Sequence, residues 1–228
     1  MCGGYSLISG KNTIKKRFNA DLPDMLLSPN YNARPGQHLP VILGGKPHKI
    51  SLAFWGYKPH WAGSKSAKAV INTRAETLAQ KRYFSDSFKV RRCLILADSF
   101  YEWMKTPKGK QPYRILLKND EPFAFAGIWD EGADSHGEIM PVFTIITVAA
   151  NIDMAPIHDR MPAILPAEDE NVWLSAETSL EQAIEMLEPY PDGLLKTYPV
   201  SKLVNLPVNN GPEVIKELKF PDGGRGGT

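Results

Sequence analysis

The stretch Arg92-Cys93-Leu94-Ile95-Leu96-Ala97 is an almost uninterrupted apolar run of strand length. A run of this kind, without polar alternation, indicates a strand that is buried on both faces. Phe100-Tyr101-Glu102-Trp103-Met104 follows closely and continues the strand pattern. These two stretches therefore predict the strand-rich middle of the chain, around which the other elements are arranged.

Short strand and helix patterns fill the rest of the chain. Apolar and alternating patterns predict strands at residues 41–43, 49–57, 69–74, 113–117, 123–129, 142–150 and 163–165. Helical spacing predicts short helices at 13–20, 75–80, 180–187 and 212–218, with caps at Thr13 and at Thr178 or Ser179. The polar residues 131–139 predict an exposed loop. With no internal repeat or linker, we predict one α+β domain over residues 2–219, with a curved, mostly antiparallel sheet and short flanking helices, and a disordered tail at 220–228.

Composition excludes several classes of protein. The 228 residues carry a net charge of +2 and two cysteines, Cys2 and Cys93. No apolar run approaches the roughly 20 residues of a membrane span, and no secretory leader pattern is present, so we expect a cytoplasmic protein without a membrane partner. Two cysteines without metal-ligand spacing predict neither a disulfide framework nor a zinc site. Sequence motifs for nucleotide hydrolysis, dinucleotide binding and zinc hydrolysis are absent.

The first four residues, Met1-Cys2-Gly3-Gly4, carry the most distinctive chemistry. Removal of Met1 leaves Cys2 with a free α-amine and a thiol on one short residue. An aldehyde suits this pair, because the amine forms an imine and the thiol then closes a five-membered ring. The amine has an ordinary pKa of about 7.7–8.0, whereas the thiol, near 8.5, needs a positive or polar neighbour to ionise. A frayed, inert terminus is the alternative.

Three polar residues lie within apolar or strand-like surroundings, and each allows two interpretations. Glu102 points either outward from its strand or inward, where burial raises its pKa and suits it to proton transfer. His158 is either a structural turn residue or a catalytic one. Asn72 is either a helix cap or a site residue. Arg74 and Arg160 are surface charges in the simplest interpretation.

A basic segment with interleaved aromatic residues also stands out. Its members are Lys81, Arg82, Tyr83, Phe84, Phe88, Lys89, Arg91 and Arg92. Cations mixed with aromatic rings suit a single-stranded nucleic acid, because phosphates attract the charges and unstacked bases stack on the rings. Trp61 offers a further wedge or stacking surface. A solvated helix face with core aromatics is the alternative.

Six motifs together resemble one family. They are Cys2-Gly3, Tyr31-Asn32-Ala33-Arg34-Pro35-Gly36, Phe54-Trp55-Gly56-Tyr57, Ile71-Asn72-Thr73-Arg74-Ala75-Glu76-Thr77, Ala97-Asp98-Ser99-Phe100-Tyr101-Glu102-Trp103 and Ile157-His158-Asp159-Arg160-Met161-Pro162. They occur in the order seen in SRAP-domain proteins, the SOS response-associated peptidases or abasic-site processing proteins. The match runs from Cys2 to about Pro162, with a continuation towards Asn210. The resemblance implies the barrel-like SRAP fold.

The resemblance also implies a reaction. Cys2, exposed by loss of Met1, attacks the C1′ aldehyde of a ring-opened abasic deoxyribose in single-stranded DNA and closes a stable thiazolidine crosslink. Asn72 matches the residue that positions the sugar and the N-terminus, Glu102 the one that handles protons, and His158 the one that assists ring opening and reversal. No cofactor or metal is implied. We expect a monomer that associates with the nucleoid during DNA damage.

DNA contacts follow from the same resemblance. Residues matching positions that hold DNA or shape the site are Asn32, Arg74, Arg82 and Arg160. We predict that Arg34, Pro35 and Trp61 also bind DNA. Many members of the family carry Arg where this chain has Gly4, so Cys2 activation and the local DNA contacts are expected to depend more on Arg34 and Arg74.

Two alternatives remain open. One is an N-terminal-nucleophile thiol peptidase or amidohydrolase, a class to which the family's older peptidase label also points. The other is a noncatalytic module that binds single-stranded DNA.

Overall fold

Strand Arg92–Ala97 is buried along its whole length in the computed structural model, which describes residues 2–21, 28–44, 48–62, 68–134 and 136–219. Two strands pair with it, His38–Ile42 and Phe123–Ala133. The prediction of a fully buried strand is confirmed. Even Arg92 is only 3% exposed, because its guanidinium donates to five backbone carbonyls of neighbouring segments.

Strands dominate the described residues. The fourteen strands are β1 (Tyr5–Leu7), β2 (Ala20–Asp21), β3 (Asn30–Ala33), β4 (His38–Ile42), β5 (His48–Trp55), β6 (Asn72–Arg74), β7 (Arg92–Ala97), β8 (Ser99–Thr106), β9 (Gly109–Leu117), β10 (Phe123–Ala133), β11 (Ile139–Ala149), β12 (Arg160–Pro162), β13 (Ile164–Leu165) and β14 (Leu195–Pro199). The helices are α1 (Lys11–Phe18), α2 (Ala75–Leu78), α3 (Arg82–Val90), α4 (Glu170–Leu174) and α5 (Leu180–Glu185), with 3₁₀ turns at His60–Ala62, Lys202–Asn205 and Pro212–Ile215. None of these helices has the length and apolarity that a membrane crossing requires.

Over the described residues the strands form two curved sheets rather than one closed barrel. The smaller sheet has the order β14-β9-β8-β1-β3. The larger one has the order β12-β11-β10-β7-β4-β5-β2, with β13 beside β10 and β6 beside β11. Most neighbours are antiparallel; the parallel pairs are β11 with β5, β11 with β6, and β2 with β5. The predicted α+β domain with a curved, mostly antiparallel sheet is confirmed.

Aromatic side chains join the two sheets. Tyr5 of β1 lies with its ring centroid 5.4 Å from that of Trp55 and 5.8 Å from that of Phe125, both in the larger sheet. Phe100 of β8 meets the same Phe125 at 5.9 Å. Such tilted and edge-on pairs contribute beyond their buried area, by about 0.5–1.5 kcal/mol each. The core therefore holds β1 and β8 firmly against the larger sheet.

Several local predictions differ from the structure. The first helix begins at Lys11 with Gly10 as its N-cap, so Thr13 does not cap it. Of the predicted loop at 131–139, residues 131–133 and Ile139 belong to strands instead, because β10 and β11 stay paired up to Ala133 opposite Ile139. The capping box at Ser179 is confirmed: its hydroxyl accepts from the Gln182 amide, and the Gln182 side chain accepts from the Ser179 amide. The predicted tail at 220–228 lies outside the described residues.

At Gly127 of β10, the neighbouring strands β7 and β11 leave no room for a side chain. A Cβ there would lie 2.8 Å from the Thr144 carbonyl oxygen and would collide with the Ile95 side chain. We expect Gly127→Ala to lower the free energy of unfolding by about 1–3 kcal/mol through overpacking. Denaturant unfolding measures the change. Ala149→Ser, on the exposed end of β11, is the control and is expected to stay within about 0.5 kcal/mol; equal losses in both variants contradict the prediction.

Candidate active site around Cys2

Pairing between β1 and β8 brings the N-terminal residues to Glu102. Tyr5 is in register with Phe100, and the Tyr101 amide donates to the Gly4 carbonyl at 2.9 Å. Because the pairing is antiparallel, the residues before Gly4 run alongside the residues after Tyr101. Cys2 is fully buried, with its Sγ 3.5 Å from the Gly4 carbonyl oxygen.

Asn72 connects the larger sheet to the N-terminal segment. It lies in β6, in parallel register with Ile145 of β11, and its Nδ2 donates to the Cys2 carbonyl oxygen at 2.7 Å. Its Oδ1 is buried and receives no hydrogen bond from the described residues. The N-cap of α2 is Arg74, so Asn72 is not the cap of that helix. Asn72 thus holds the Cys2 backbone with one atom and keeps a buried acceptor beside it.

Glu102 and Cys2 form an electrostatically coupled pair. Burial and, to a smaller extent, the Glu102 carboxylate raise the pKa of the Cys2 thiol to about 12, a rise that the Arg34 guanidinium only partly offsets. Burial also raises the pKa of Glu102, which is 1% exposed, while the nearby charge of His158 lowers it. The thiol is therefore protonated at neutral pH. The Glu102 carboxyl keeps its proton to a higher pH than the carboxyl of a surface glutamate does.

His158 precedes β12, where its Nδ1 meets two groups. The Arg160 backbone amide donates to this nitrogen at 2.9 Å, and the Asp159 Oδ1 lies at the same distance. The amide requires a lone pair on Nδ1, whereas the carboxylate requires a proton there, so the two contacts favour opposite protonation states of this nitrogen. The Arg160 guanidinium pairs with both carboxylate oxygens of Glu76 and with the Thr147 carbonyl. Glu76 was not among the predicted site residues, although it lies within one of the six motifs.

Arg34 lies directly against the N-terminal residues. Its Nη1 donates to the Gly3 carbonyl at 3.0 Å, and a Cβ on Gly4 would lie 3.0 Å from the guanidinium carbon. The guanidinium is also 5.4 Å from the centroid of the Trp103 ring. A side chain at position 4 would press on this guanidinium and require it to shift by a few tenths of an ångström, so Gly4 favours the present position of Arg34.

Asn32 holds Arg34 in place. Its side chain is buried: Oδ1 accepts from the Arg34 Nε at 2.7 Å, and Nδ2 faces the carbonyls of Val204, Leu206 and Asn209. The Asn210 Oδ1 accepts from the backbone amides of Tyr31 and Asn32, at 2.7 and 3.0 Å. Residues 204–210 thus hold Asn32, at the end of β3, through hydrogen bonds, and Asn32 in turn holds Arg34. No local pattern in the sequence marked Asn210 for this position.

The other predicted DNA-contact residues lie at the surface. Pro35 forms the turn after β3, and Arg74 is exposed at the end of β6. Trp61, 52% exposed, and Arg82 line a separate cleft of about 190 Å³ together with Tyr83.

Some members of the basic segment at 81–92 are buried in the structure and others are exposed. Phe84 and Phe88 are buried in the core, Arg92 is buried, and the Arg91 Nη1 lies 3.3 Å from the Asp130 carboxylate. The interpretation of this segment as a helix face with core aromatics therefore describes most of its members, and Lys81, Arg82 and Lys89 remain exposed.

A family model described as "SOS response associated peptidase (SRAP)" matches residues 1–207. The chain belongs to the SRAP family. Among curated relatives, the abasic site processing protein YoqW of Bacillus subtilis (strain 168) is 41% identical over 222 residues, which cover 95% of this chain and 99% of that protein. The abasic site processing protein YedK of Escherichia coli (strain K12) is 31% identical, over 82% of this chain and 84% of its own.

A further relative and a solved structure are also similar to this chain. The abasic site processing protein HMCES of Xenopus tropicalis is 31% identical, covering 83% of this chain and 66% of that protein. A crystal structure of a Bacteroides thetaiotaomicron protein superposes with a TM-score of 0.85 at 24% identity, over 96% of this chain and all of the other. Within the described residues, no three His, Cys, Asp or Glu side chains cluster as a metal-binding group.

Replacement of Glu102 tests the electrostatic coupling in the site. Because its carboxylate disfavours the thiolate, Glu102→Gln lowers the pKa of Cys2, and we expect several-fold faster alkylation of Cys2 at about pH 9. Peptide mass spectrometry measures the modification of each cysteine. Glu185→Gln on the exposed α5 face is the control and should leave the alkylation rate of Cys2 unchanged. An unchanged rate for Glu102→Gln argues against the coupling.

Proposed function

We propose that this SRAP-family protein processes abasic sites in DNA, by forming a covalent thiazolidine between Cys2 and the ring-opened abasic sugar in a single strand. The observation that carries the proposal is the convergence of Asn72 and Glu102 on Cys2, one through a hydrogen bond to its backbone and the other through the charge at its thiol. The abasic site processing names of YoqW, YedK and HMCES support the same substrate.

The proposed reaction begins once Met1 is removed. The neutral α-amine of Cys2 adds to the C1′ aldehyde, and loss of water leaves an imine. The Cys2 sulfur then adds to the imine carbon while the thiol proton passes to the nitrogen, which closes the five-membered ring. The protonated thiol is consistent with this order, since the amine, with an ordinary pKa of about 7.7–8.0, is the better nucleophile at neutral pH.

Glu102 is proposed to move the protons of these steps. Its raised pKa, caused by burial, lets the carboxyl donate a proton to the departing water and accept one from the thiol. Electrostatic contact with His158 places a second titratable group nearby, and this group is proposed to assist opening of the sugar ring. The buried Asn72 Oδ1 is proposed to accept from the sugar or from the amine.

DNA binding is proposed to involve the cationic and aromatic groups around this centre. Exposed Arg74 and Arg82 suit phosphates, and exposed Trp61 suits a base. Arg160 is held by Glu76 at the edge of the site, and Pro35 shapes the adjoining turn. For Asn32 and Arg34 the protein contacts favour an indirect contribution, in which they position the N-terminal segment.

The amidohydrolase alternative receives less support from the geometry. It requires a donor for an oxyanion, and the Asn72 Nδ2 beside Cys2 is already engaged with the Cys2 carbonyl at 2.7 Å. A noncatalytic DNA-binding module gives no reason for Asn72 and Glu102 to converge on a buried Cys2. We therefore retain the crosslinking reaction as the proposed function.

Incubation with an abasic single-stranded oligonucleotide tests this function. We expect a heat-stable, shifted protein–DNA band and its loss in Cys2→Ala, because the ring cannot close without the thiol. Cys93→Ala is the matched control and should crosslink normally, since Cys93 is buried in β7. Absence of the band in the wild-type protein, or its persistence in Cys2→Ala, rejects the proposal. A protein that retains Met1, as intact mass shows, should also fail to crosslink because its amine is displaced.

Asn72→Ala tests the positioning of the N-terminal segment. Loss of the hydrogen bond to the Cys2 carbonyl lets the nucleophile move, and a displacement of about 1 Å can cost roughly 100-fold in rate. We expect slower crosslinking at saturating DNA with little change in affinity for undamaged DNA. Asn119→Ala, at the exposed turn after β9, is the control. Equal crosslinking rates for Asn72→Ala and the wild type contradict the assigned role.

A further inference from the structure

Tyr5 places a hydroxyl in the core on the same face of the smaller sheet as Glu102. The Tyr5 side chain is fully buried, and its register partner across β1 and β8 is Phe100. Alternation along β8 puts Phe100 and Glu102 on one face. Tyr5 and Phe100 both contact Phe125 of the larger sheet, so this face looks into the space between the two sheets. Tyr5 and Glu102 therefore point into the same interior.

The Tyr5 hydroxyl has no hydrogen-bond partner among the residues that the structure describes. A buried hydroxyl without a partner destabilises a fold, because it has lost its hydrogen bonds to water. A phenylalanine would make the same ring contacts with Trp55 and Phe125 and would avoid this penalty. Ring packing thus explains an aromatic residue at position 5 but does not explain its hydroxyl.

The two cysteine sulfurs are the charged neighbours of this hydroxyl. Burial raises the pKa of the Tyr5 phenol well above its ordinary range, charge on the Cys2 sulfur raises it further, and charge on the Cys93 sulfur has a smaller effect of the same sign. The phenol is therefore protonated at neutral pH and is available as a hydrogen-bond donor. Its stronger coupling is to Cys2, the residue of the site.

The proposed reaction changes which partners the Cys2 sulfur requires. In the thiol form, the sulfur donates to the Gly4 carbonyl oxygen at 3.5 Å. Once the thiol proton leaves, this carbonyl can only repel the sulfur, since both atoms are then acceptors. Burial and the Glu102 carboxylate also disfavour the anion, and a backbone hydrogen bond from Gly4 and the charge of Arg34 offset them only in part. A further donor beside the sulfur would stabilise its developing charge.

We propose that the Tyr5 hydroxyl is this donor and that it hydrogen-bonds to the Cys2 sulfur as the sulfur attacks the imine carbon. The inference rests on the proposed function. In this step the thiol proton passes through Glu102 to the imine nitrogen, the carbon–sulfur bond forms, and the carbon–nitrogen double bond becomes a single bond. Tyr5 keeps its own proton, so it is a catalytic residue that stabilises charge without transferring a proton.

A hydrogen bond to the Cys93 sulfur is the other use that this hydroxyl could have. Cys93 is buried in β7, and burial raises the pKa of its thiol, so the sulfur stays neutral and is a weak acceptor. Hydrogen bonds to a charged atom are roughly twice as strong as those between neutral groups. The Cys2 sulfur, which carries charge during ring closure, is therefore the favoured partner.

Tyr5→Phe removes only the hydroxyl and tests the proposal on an abasic single-stranded oligonucleotide. Sodium cyanoborohydride reduces the imine to an amine that keeps a free Cys2 thiol, whereas the thiazolidine has none, and peptide mass spectrometry after alkylation counts both products. We expect ring closure to slow by about tenfold, the usual loss for a hydrogen bond to a charged group, so more imine is trapped. Imine formation should keep its rate, because the amine adds before the sulfur does.

Tyr190→Phe is the matched control. It removes the hydroxyl of a half-buried tyrosine whose charged neighbours are Arg17, Glu168 and Glu121, and it should change neither step. A purely structural effect of Tyr5→Phe would displace the N-terminal segment and slow both steps. Equal slowing of both steps, or an unchanged share of trapped imine, overturns the proposal. The effect should persist in the Cys93→Ala background, and its disappearance there assigns the hydroxyl to Cys93 instead.

Thiol reactivity without DNA separates this inference from the proposed function. Loss of the donor raises the pKa of the Cys2 thiol, so we expect several-fold slower alkylation of Cys2 in Tyr5→Phe at about pH 9, the opposite of the change expected for Glu102→Gln. Slower alkylation in a protein that forms no crosslink supports the contact and rejects the reaction. Crosslinking by the wild type with unchanged alkylation and ring closure in Tyr5→Phe rejects the contact and leaves the reaction standing.

Two further measurements guard against a misfolded variant. The melting temperature of Tyr5→Phe should equal or exceed that of the wild type, because the variant loses a buried hydroxyl without a partner in the described part of the chain. A crystal structure of the crosslinked wild-type protein requires no variant. It should show the Tyr5 hydroxyl within hydrogen-bond distance of the Cys2 sulfur, and a hydroxyl turned to Cys93 overturns the proposal.

Discussion

A short antiparallel pairing between β1 and β8 is the constraint on which the site depends. It extends over few residues, with Tyr5 opposite Phe100 and the Gly4 carbonyl bonded to the Tyr101 amide. Chain termini are ordinarily among the least ordered parts of a domain, unless a strand ties them into a sheet. Here the terminal strand is an interior strand of the smaller sheet, between β8 and β3. The aromatic contacts of Tyr5 then lock it to the larger sheet, so a residue at the chain end acquires the fixed position that chemistry requires.

Burial rather than a strong cation determines the electrostatic state of this centre. An activated thiol is ordinarily stabilised by nearby positive charge, and Arg34 is close to Cys2. Burial and the Glu102 carboxylate nevertheless act in the opposite direction and keep the thiol protonated. That balance suits a mechanism in which an amine attacks first and the sulfur follows after proton transfer. It also protects the sulfur, since a buried, protonated thiol is a poor target for oxidants.

Different parts of the chain support each member of the site. The carboxyl half of β11 lies between β6 and β12, so the same strand places Asn72 on one side and Arg160 on the other. The segment 204–210 holds Asn32, which in turn holds Arg34 against Gly3. A chain of hydrogen bonds therefore links a distant part of the sequence to the Gly3 carbonyl, next to Cys2. Since Gly4 leaves the space that this arginine occupies, the absence of a side chain there belongs to the same arrangement.

The sequence by itself determined the fully buried strand β7, the helix cap at Ser179, the mostly antiparallel fold and the family, because these depend on local patterns or on ordered motifs. It also marked Cys2, Asn72, Glu102 and His158, but it left open whether Glu102 points inward and whether Asn72 caps a helix. Only the tertiary structure decided those points, since alternation along a strand does not say which face is covered. It alone revealed the hydrogen bonds from Asn210 through Asn32 to Arg34 and the buried position of the Tyr5 hydroxyl, because both depend on strand register and on contacts between residues far apart in the chain.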